Sequence, residues 1–412
     1  MAIKVKLLWP LLSGLLVLTL LASACATAPA ASPTAAPAAK PAAPAAAPAK
    51  DKTPVLIGIS HDVTGYNADA GRAERDAAIL AIEEWNAKGG VNGGREIKYV
   101  FRDNAGDPAK ATAIAKELVG QKITAFFGGT SSTVGIPETK VLTPERIPYV
   151  GGAASIPMFE KASDDKWYYF SACTANPQLA DAALADMVKQ GYKRIAFFYS
   201  NVAWPQDMVK VQKQLIAEKY GSQIQVVGEM AVDNNATDLT AEVMKLRDLK
   251  ADAVNAILFA ANAKAYYRAA ADIGWRPVAP SYNYWALMES VYLTSDKTLL
   301  WGTRAYSNYS DEKPAFADKK KQFMTKFGYE PVGHFAFAYD GVSLLLKAID
   351  AAGTDGPAIR DYLATKSKGQ QIVSGKPSAL ADFTQESYHS LIRGEDFAMV
   401  NINEKGEKVW QK

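Results

Sequence analysis

Residues 54–60 read PVLIGIS, a short β-rich run, and residues 72–88 read RAERDAAILAIEEWNAK, with Ala73, Ala77, Leu80, Ile82 and Trp85 near a helical period before Gly89-Gly90 ends it. This is a strand, a loop and a helix, and the unit repeats along the chain. Residues 96–102 (EIKYVFR) give the next strand, and Asp107-Pro108 supplies an N-cap and a proline at the first helical position for a helix running to 119. Further strands are predicted at 123–127, 148–150, 194–199, 223–229 and 253–259, with helices near 135–143, 177–190, 205–220, 238–249 and 262–273. This βαβα order implies an α/β fold with parallel sheets and helices on both faces. Roughly 360 residues are too many for one such unit, so two doubly wound, Rossmann-like lobes are expected, with a ligand cleft at the carboxyl ends of their strands.

Composition narrows the function. Of 412 residues, 49% are hydrophobic and 22% charged, as in a chain with a folded core. Lys and Arg number 46 against 43 Asp and Glu, and the charges are scattered rather than gathered into a basic block, which argues against nucleic acid as a partner. Two cysteines, Cys25 and Cys173, and three histidines, His61, His334 and His389, leave no basis for a disulfide framework or a many-ligand metal centre. No metal or cofactor is expected. Enzyme signatures are also missing: there is no GxSxG elbow, GxGxxG fingerprint or HExxH pair, and residues 369–376 resemble a phosphate loop only loosely, with five residues between the glycines and Pro377 where a hydroxyl residue is required.

The N-terminal segment reads as an address. Lys4 and Lys6 precede an apolar run over 7–21, and Ala22, Ser23 and Ala24 follow, the order of an export signal. Pro10 and Gly14 interrupt that run, which is short for a membrane-spanning helix. Leu21-Ala22-Ser23-Ala24-Cys25 resembles a bacterial lipobox, departing from it at Ala22, and implies a lipoprotein signal over 1–25 whose Cys25 carries the lipid and becomes the mature N-terminus. Residues 26–53 are dominated by Ala and Pro and lack the large apolar side chains that would offset the entropy of folding, so they are expected to form an extended tether.

Candidate ligand-binding residues fall at strand ends. Ser131, Ser132 and Thr133 lie between a strand and a helix, where free N–H groups and the helix dipole favour an anion such as a carboxylate. Ala153-Ala154-Ser155 follow the strand at 148–150, and their small side chains let backbone groups approach a ligand. Trp204 follows the strand at 194–199, Phe259 ends the strand at 253–259, and His61 stands near the end of the first strand. Cys173 reads as a small buried hydrophobe.

Residues 58–95, with the Thr64-Gly65 turn and the ending Asn86-Ala87-Lys88-Gly89-Gly90-Val91-Asn92-Gly93, resemble the opening of the leucine/isoleucine/valine-binding proteins of ABC importers. Arg102-Asp103-Asn104 with Asp107-Pro108, residues 128–133, Ala153-Ala154-Ser155 and Ala338-Tyr339-Asp340-Gly341 follow in that family's order. The resemblance implies a type I periplasmic binding fold with three chain crossings, lobe I over 54–173 and 304–378 and lobe II over 174–303 and 379–412. It implies an exported, monomeric, non-enzymatic protein that binds a small molecule and serves an ABC permease with its ATPase subunits, anchored to the membrane through its N-terminal lipid. A ligand-sensing receptor subunit is the alternative, and an α/β enzyme a more remote one. By resemblance Ser132 holds the ligand α-carboxylate, Ala153 and Ala154 contribute backbone contacts, Ser155 adds its hydroxyl, and Trp204 closes over the ligand. The loop that supplies a carboxylate to the ligand ammonium in leucine-type proteins here reads Ser281-Tyr282-Asn283-Tyr284-Trp285. Asn283 accepts a hydrogen bond but neutralises no charge, so either Asp62, Asp69 or Glu289 replaces the missing acid or the ligand has no amine. Tyr284 and its aromatic neighbours suit a flat ligand by stacking.

Overall fold

The first strand predicted from PVLIGIS is β1 (Val55–His61), and it leads into α1 (Ala68–Ala87). The computed structural model describes residues 51–276, 281–282, 292, 296–384 and 388–411, and all of these belong to one compact unit, Lys50–Lys412, separate from Met1–Ala49. The expectations for the export signal, Cys25, Asn283, Tyr284, Trp285 and Glu289 lie outside the described residues.

After β1 and α1 the chain continues through β2 (Ile97–Asp103), α2 (Pro108–Gly120), β3 (Ala125–Gly128), α3 (Ser132–Leu142), β4 (Tyr149–Gly151) and β5 (Tyr169–Ser171). These five strands make one parallel sheet in the order β2-β1-β3-β4-β5. Side chains on β3 alternate between its faces as strand geometry requires. Phe127 belongs to the core cluster that includes Ala73 and Ala77 of α1, while Phe126 belongs to the separate cluster that includes Leu118 of α2 and Leu142 of α3. Asp107 caps α2 by accepting from the N–H groups of Ala109 and Lys110.

The second sheet starts after α4 (Asn176–Lys189) with β6 (Arg194–Ser200), α5 (Ala203–Leu215), β7 (Gln225–Val232), α6 (Thr240–Asp248), β8 (Ala253–Ile257), α7 (Ala260–Asp272), β9 (Ser281–Tyr282) and β10 (Thr303–Ser307). Helices α8 (Pro314–Phe327), α9 (His334–Ala352) and α10 (Gly356–Lys366) then return to the first sheet, where α9 packs along α1. Strands β11 (Ala398–Ile402) and β12 (Lys408–Trp410) complete a seven-stranded sheet in the order β12-β11-β10-β9-β8-β6-β7, with β11 and β12 antiparallel. Its parallel portion repeats the connectivity of the first sheet: the two earliest strands are neighbours in reversed order, and the later three extend the other way.

The second and third passages between sheets fall later than the sequence boundaries at 304 and 379. Strand β10, with residues 304–307, belongs to the second sheet, while Leu391 N–H donates to the Ser171 carbonyl and Ser171 N–H to the His389 carbonyl, both at 2.8 Å, holding the 389–391 segment against the first. Neither segment carries a long alternating or apolar run, and their pairing comes from strands distant in sequence.

Candidate functional site

In a sheet with this strand order, the helices after the two central neighbours leave on opposite faces, and a crevice opens between the strand ends. In lobe I the crevice lies between β1 and β3 and is edged by residues 62–67 and 129–131. In lobe II it lies between β6 and β8, beside Trp204 and Phe259.

The lobe I mouth is polar. Ser131 occupies the N-cap position of α3 but makes no side-chain capping bond, and its hydroxyl instead shares a 2.9 Å hydrogen bond with the hydroxyl of Tyr66. Ser132 opens α3, and its Oγ accepts from the N–H groups of Ala154 at 3.3 Å and Ser155 at 3.2 Å. The two loops expected to hold a carboxylate are thus joined by one hydroxyl. The Ala153 carbonyl accepts from Ser171 Oγ at 3.0 Å, and the Ala154 carbonyl from the N–H of Asn176 at 2.9 Å, which ties this loop to the first passage between lobes. Ser131, Ser132, Ala153, Ala154 and Ser155 are all buried, and the Ser155 hydroxyl has no hydrogen-bond partner among the described residues.

The lobe II mouth is aromatic. Trp204, in the first turn of α5, is 3% exposed and donates Nε1–H to Asn176 Oδ1 at 2.8 Å. Its ring meets Phe259 at 5.7 Å and 62°. Phe259 is fixed by its own N–H, which donates to Ser200 Oγ at 3.3 Å, while that hydroxyl donates to Asn262 at 2.7 Å. Behind Trp204 lies a cavity of about 30 Å³ lined chiefly by Leu179, Met208, Tyr282 and Tyr306.

The two mouths touch. Tyr66 of lobe I meets Phe259 of lobe II edge-on, with ring centres 5.4 Å apart. Asp207 on α5 accepts from the N–H of Ile156 at 3.1 Å and from Asn176 Nδ2 at 2.6 Å, which clasps the 153–156 loop to lobe II. The structure is therefore a closed form, with its candidate binding residues out of solvent.

Beneath the lobe I mouth lies a buried set of ionisable groups. Glu74 on α1 is shared by His334 Nδ1 at 2.5 Å and His61 Nδ1 at 3.0 Å, and the latter nitrogen also lies 2.8 Å from Thr130 Oγ1. Glu138 on α3 accepts from Ser60 Oγ and the Tyr149 hydroxyl, each at 2.7 Å. Burial pushes Glu138 up to about 8 against those hydrogen bonds, and it raises Glu74 although His334 opposes it. Burial also drives His61 down to about 3, with Arg75 adding repulsion. At neutral pH His61 is uncharged and Glu138 is largely protonated.

The expected residues now sort by position. Ser131, Ser132, Ala153, Ala154, Ser155, Trp204 and Phe259 come together around the closed cleft. His61 is placed differently: its ring packs on Phe127 at 4.7 Å, and its Nδ1 is turned to Glu74 and Thr130 in the layer beneath. Asp69 pairs with Arg72 on the exposed side of α1, and Cys173 is buried in the core. Tyr66, Asn176 and Asp207 were not singled out by sequence. Tyr66 stands one residue after the Thr64-Gly65 turn, and that adjacency to a strand end was the available signal. Among the described residues no group of three His, Cys, Asp or Glu side chains is arranged to hold a metal ion.

Two doubly wound lobes whose crevices face each other across a closed cleft define a bilobal solute-binding protein. Residues 54–407 match the periplasmic binding protein family, and the chain belongs to that family. The Leu/Ile/Val-binding protein homolog 2 of Brucella abortus is 24% identical over 319 residues, covering 76% of this chain and 83% of that one. The branched-chain amino acid transporter substrate-binding protein LivJ of Streptococcus pneumoniae, solved in complex with isoleucine, superposes with a TM-score of 0.71 at 20% identity, covering 87% of this chain and 100% of its own. A solute-binding protein of an ABC transporter from Rhodopseudomonas palustris, solved with 3,4-dihydroxybenzoic acid, gives 0.74 at 19% identity, covering 88% and 96%.

Proposed function

We propose that this protein is an extracytoplasmic, monomeric solute-binding subunit that captures a small carboxylate-bearing ligand and delivers it to an ABC permease and its ATPase. The ligand class is a branched-chain or other hydrophobic amino acid, or a related compound, and it leaves chemically unchanged. The carrying observation is the meeting of the two crevices, with Tyr66 and Ser131 on one side and Phe259 and Trp204 on the other. A ligand held by groups from both lobes stabilises the closed state and shifts the population toward the form a permease would recognise. The hydroxyl of Ser132 and the start of α3 suit the carboxylate. The rings of Tyr66, Phe259 and Trp204 suit an apolar or flat remainder.

Those rings also favour a second reading, an amine-free aromatic or aliphatic acid, the kind of compound found with the Rhodopseudomonas palustris neighbour. A thermal-shift screen of branched-chain and aromatic amino acids, their amides and their amine-free counterparts separates the two. Stabilisation by one series identifies the class, and no stabilisation by any of them counts against a carboxylate ligand. Membrane attachment through a lipid on Cys25 belongs to the same proposal. Cys25→Ala is expected to release the protein from the membrane fraction, and continued retention would remove the lipid from the account.

A further inference from the structure

Two side chains on the loop joining β1 to α1 are buried without a hydrogen-bond partner among the described residues: both carboxylate oxygens of Asp62 and both amide atoms of Asn67. Asp62 is 0% exposed and Asn67 is 3% exposed. Buried polar groups are ordinarily satisfied, and a carboxylate is the most costly one to leave alone.

Their location is specific. Asp62 is the first residue after β1, at the lobe I crevice. A Cβ placed on Gly106 would stand 2.8 Å from the Tyr66 ring and 3.6 Å from Asp62 Oδ2, so the carboxylate lies beside the ring whose hydroxyl engages Ser131. Asn67 adjoins Tyr66 in sequence, and Tyr66 meets Phe259 of the other lobe.

The charges around Asp62 are unfavourable to its anion. Glu74 and Glu138 are its like-charged neighbours, and burial raises its pKa well above the usual carboxylate range. Thr130 is the nearby hydroxyl that opposes the shift, but it is engaged with His61 Nδ1 and makes no aligned bond to Asp62. A metal ion would need more ligands than stand here. An ammonium group needs one anion and neutral acceptors; Asp62 offers the carboxylate, and Asn67, on the same loop, offers its unpartnered amide oxygen.

We propose that Asp62 accepts the ammonium group of the ligand, with Asn67 as its neutral partner, so that the solute is an amino acid rather than an amine-free acid. The inference rests on the carboxylate-binding function proposed above. It supplies from lobe I the acid missing in the 281–285 loop of lobe II.

Titration calorimetry on the full chain and on its Asp62→Asn variant tests it, with leucine and phenylalanine set against 4-methylpentanoic and 3-phenylpropanoic acid. The wild type is expected to prefer each amino acid over its amine-free partner by about 30-fold or more, as for a charge-assisted bond. In Asp62→Asn that preference falls to about threefold or less, while the unliganded melting temperature near neutral pH is little changed, since burial already keeps Asp62 in its neutral form there. Asn67→Ala reads the same preference independently should Asp62→Asn fail to fold, and reduces it by about 5-fold. An undiminished preference in the variants would overturn the inference. Wild-type binding of the amine-free acids alone would overturn it too, and leave the carboxylate function standing. Binding of neither series would remove that function and this inference with it.

Discussion

The two crevices are built on the same strand order and filled with opposite chemistry. In lobe I the residues at the strand ends are Ser131, Ser132, Asp62 and Asn67 above a layer of buried acids and histidines. In lobe II the matching positions carry Trp204 and Phe259 over an apolar interior. Under the proposed function the scaffold fixes where a ligand sits and the side chains divide the work: one lobe would recognise polar ends, the other would cover the apolar body. The closed form brings both chemistries together, and on the proposed function a ligand contacting both would favour closure.

Removing the aromatic wall should break this division most severely. Trp204→Ala loses the ring, its contact with Phe259 and its bond to Asn176. We expect binding to weaken by about 2–4 kcal/mol, the range of a buried aromatic anchor, measured by calorimetry; an unaltered affinity would reduce Trp204 to a packing residue. Ser132→Ala tests the opposite face and should weaken binding by about 1–3 kcal/mol. The Oγ lost is also the acceptor that gathers the N–H groups of Ala154 and Ser155, so the 153–155 loop should exchange its amide protons faster. Equal affinity would take Ser132 out of the site. Asp207→Ala leaves both mouths intact but cuts the clasp to Ile156 and Asn176. About 0.5–1.5 kcal/mol of affinity should go, with a more extended unliganded molecule in small-angle scattering; unchanged dimensions would show that the clasp does not hold the lobes together.

The same contrast governs what the sequence disclosed. The repeating strand and helix pattern gave the α/β class, and β1, α1 and the elements through α7, except the three-residue β5, lie within a few residues of expectation, because each of them carries its own periodicity and stops. Strands β9 and β10 were invisible: two and five residues long, they are strands only by virtue of neighbours far away in sequence. Ser132, Ala153, Trp204 and Phe259 were legible as strand-end residues of suitable chemistry. Tyr66 and Asp207 were not, since each acts across the lobes, and a contact between sequence-distant loops leaves no local pattern. His61 looked like a cleft residue from its strand-end position, yet the side chain turns inward to Glu74 and Phe127, a choice of face that position along a strand does not decide.

The smallest expected effect concerns stability rather than binding, and it belongs to lobe I alone. Burial pushes Glu138 up to about 8 in the folded protein from its ordinary 4.5, so the unfolded chain releases its proton first as pH rises. Its contribution is fully present below about 4.5 and is lost as pH climbs toward 8, and Asp62 and Glu74 shift in the same direction. His61, depressed to about 3 from 6.5, works on the other limb, as does His389, depressed to about 4 by burial beside the first sheet. Their contributions are complete above 6.5 and disappear as pH falls toward those values. Lobe II contrasts with this: its half-buried acid Asp186 is lowered by hydrogen bonds from Arg304 and Tyr282 that outweigh burial, and so stays charged throughout this range. The melting temperature should therefore be highest between about pH 4.5 and 6.5 and decline toward pH 8, each kcal/mol lost lowering it by about 2–4 °C. Glu138→Gln removes one source of that decline, and its melting curve should flatten between pH 6 and 8 relative to the wild type. Parallel curves for the two proteins would mean that Glu138 is already ionised in the folded state, with Ser60 and Tyr149 sufficient to hold its charge.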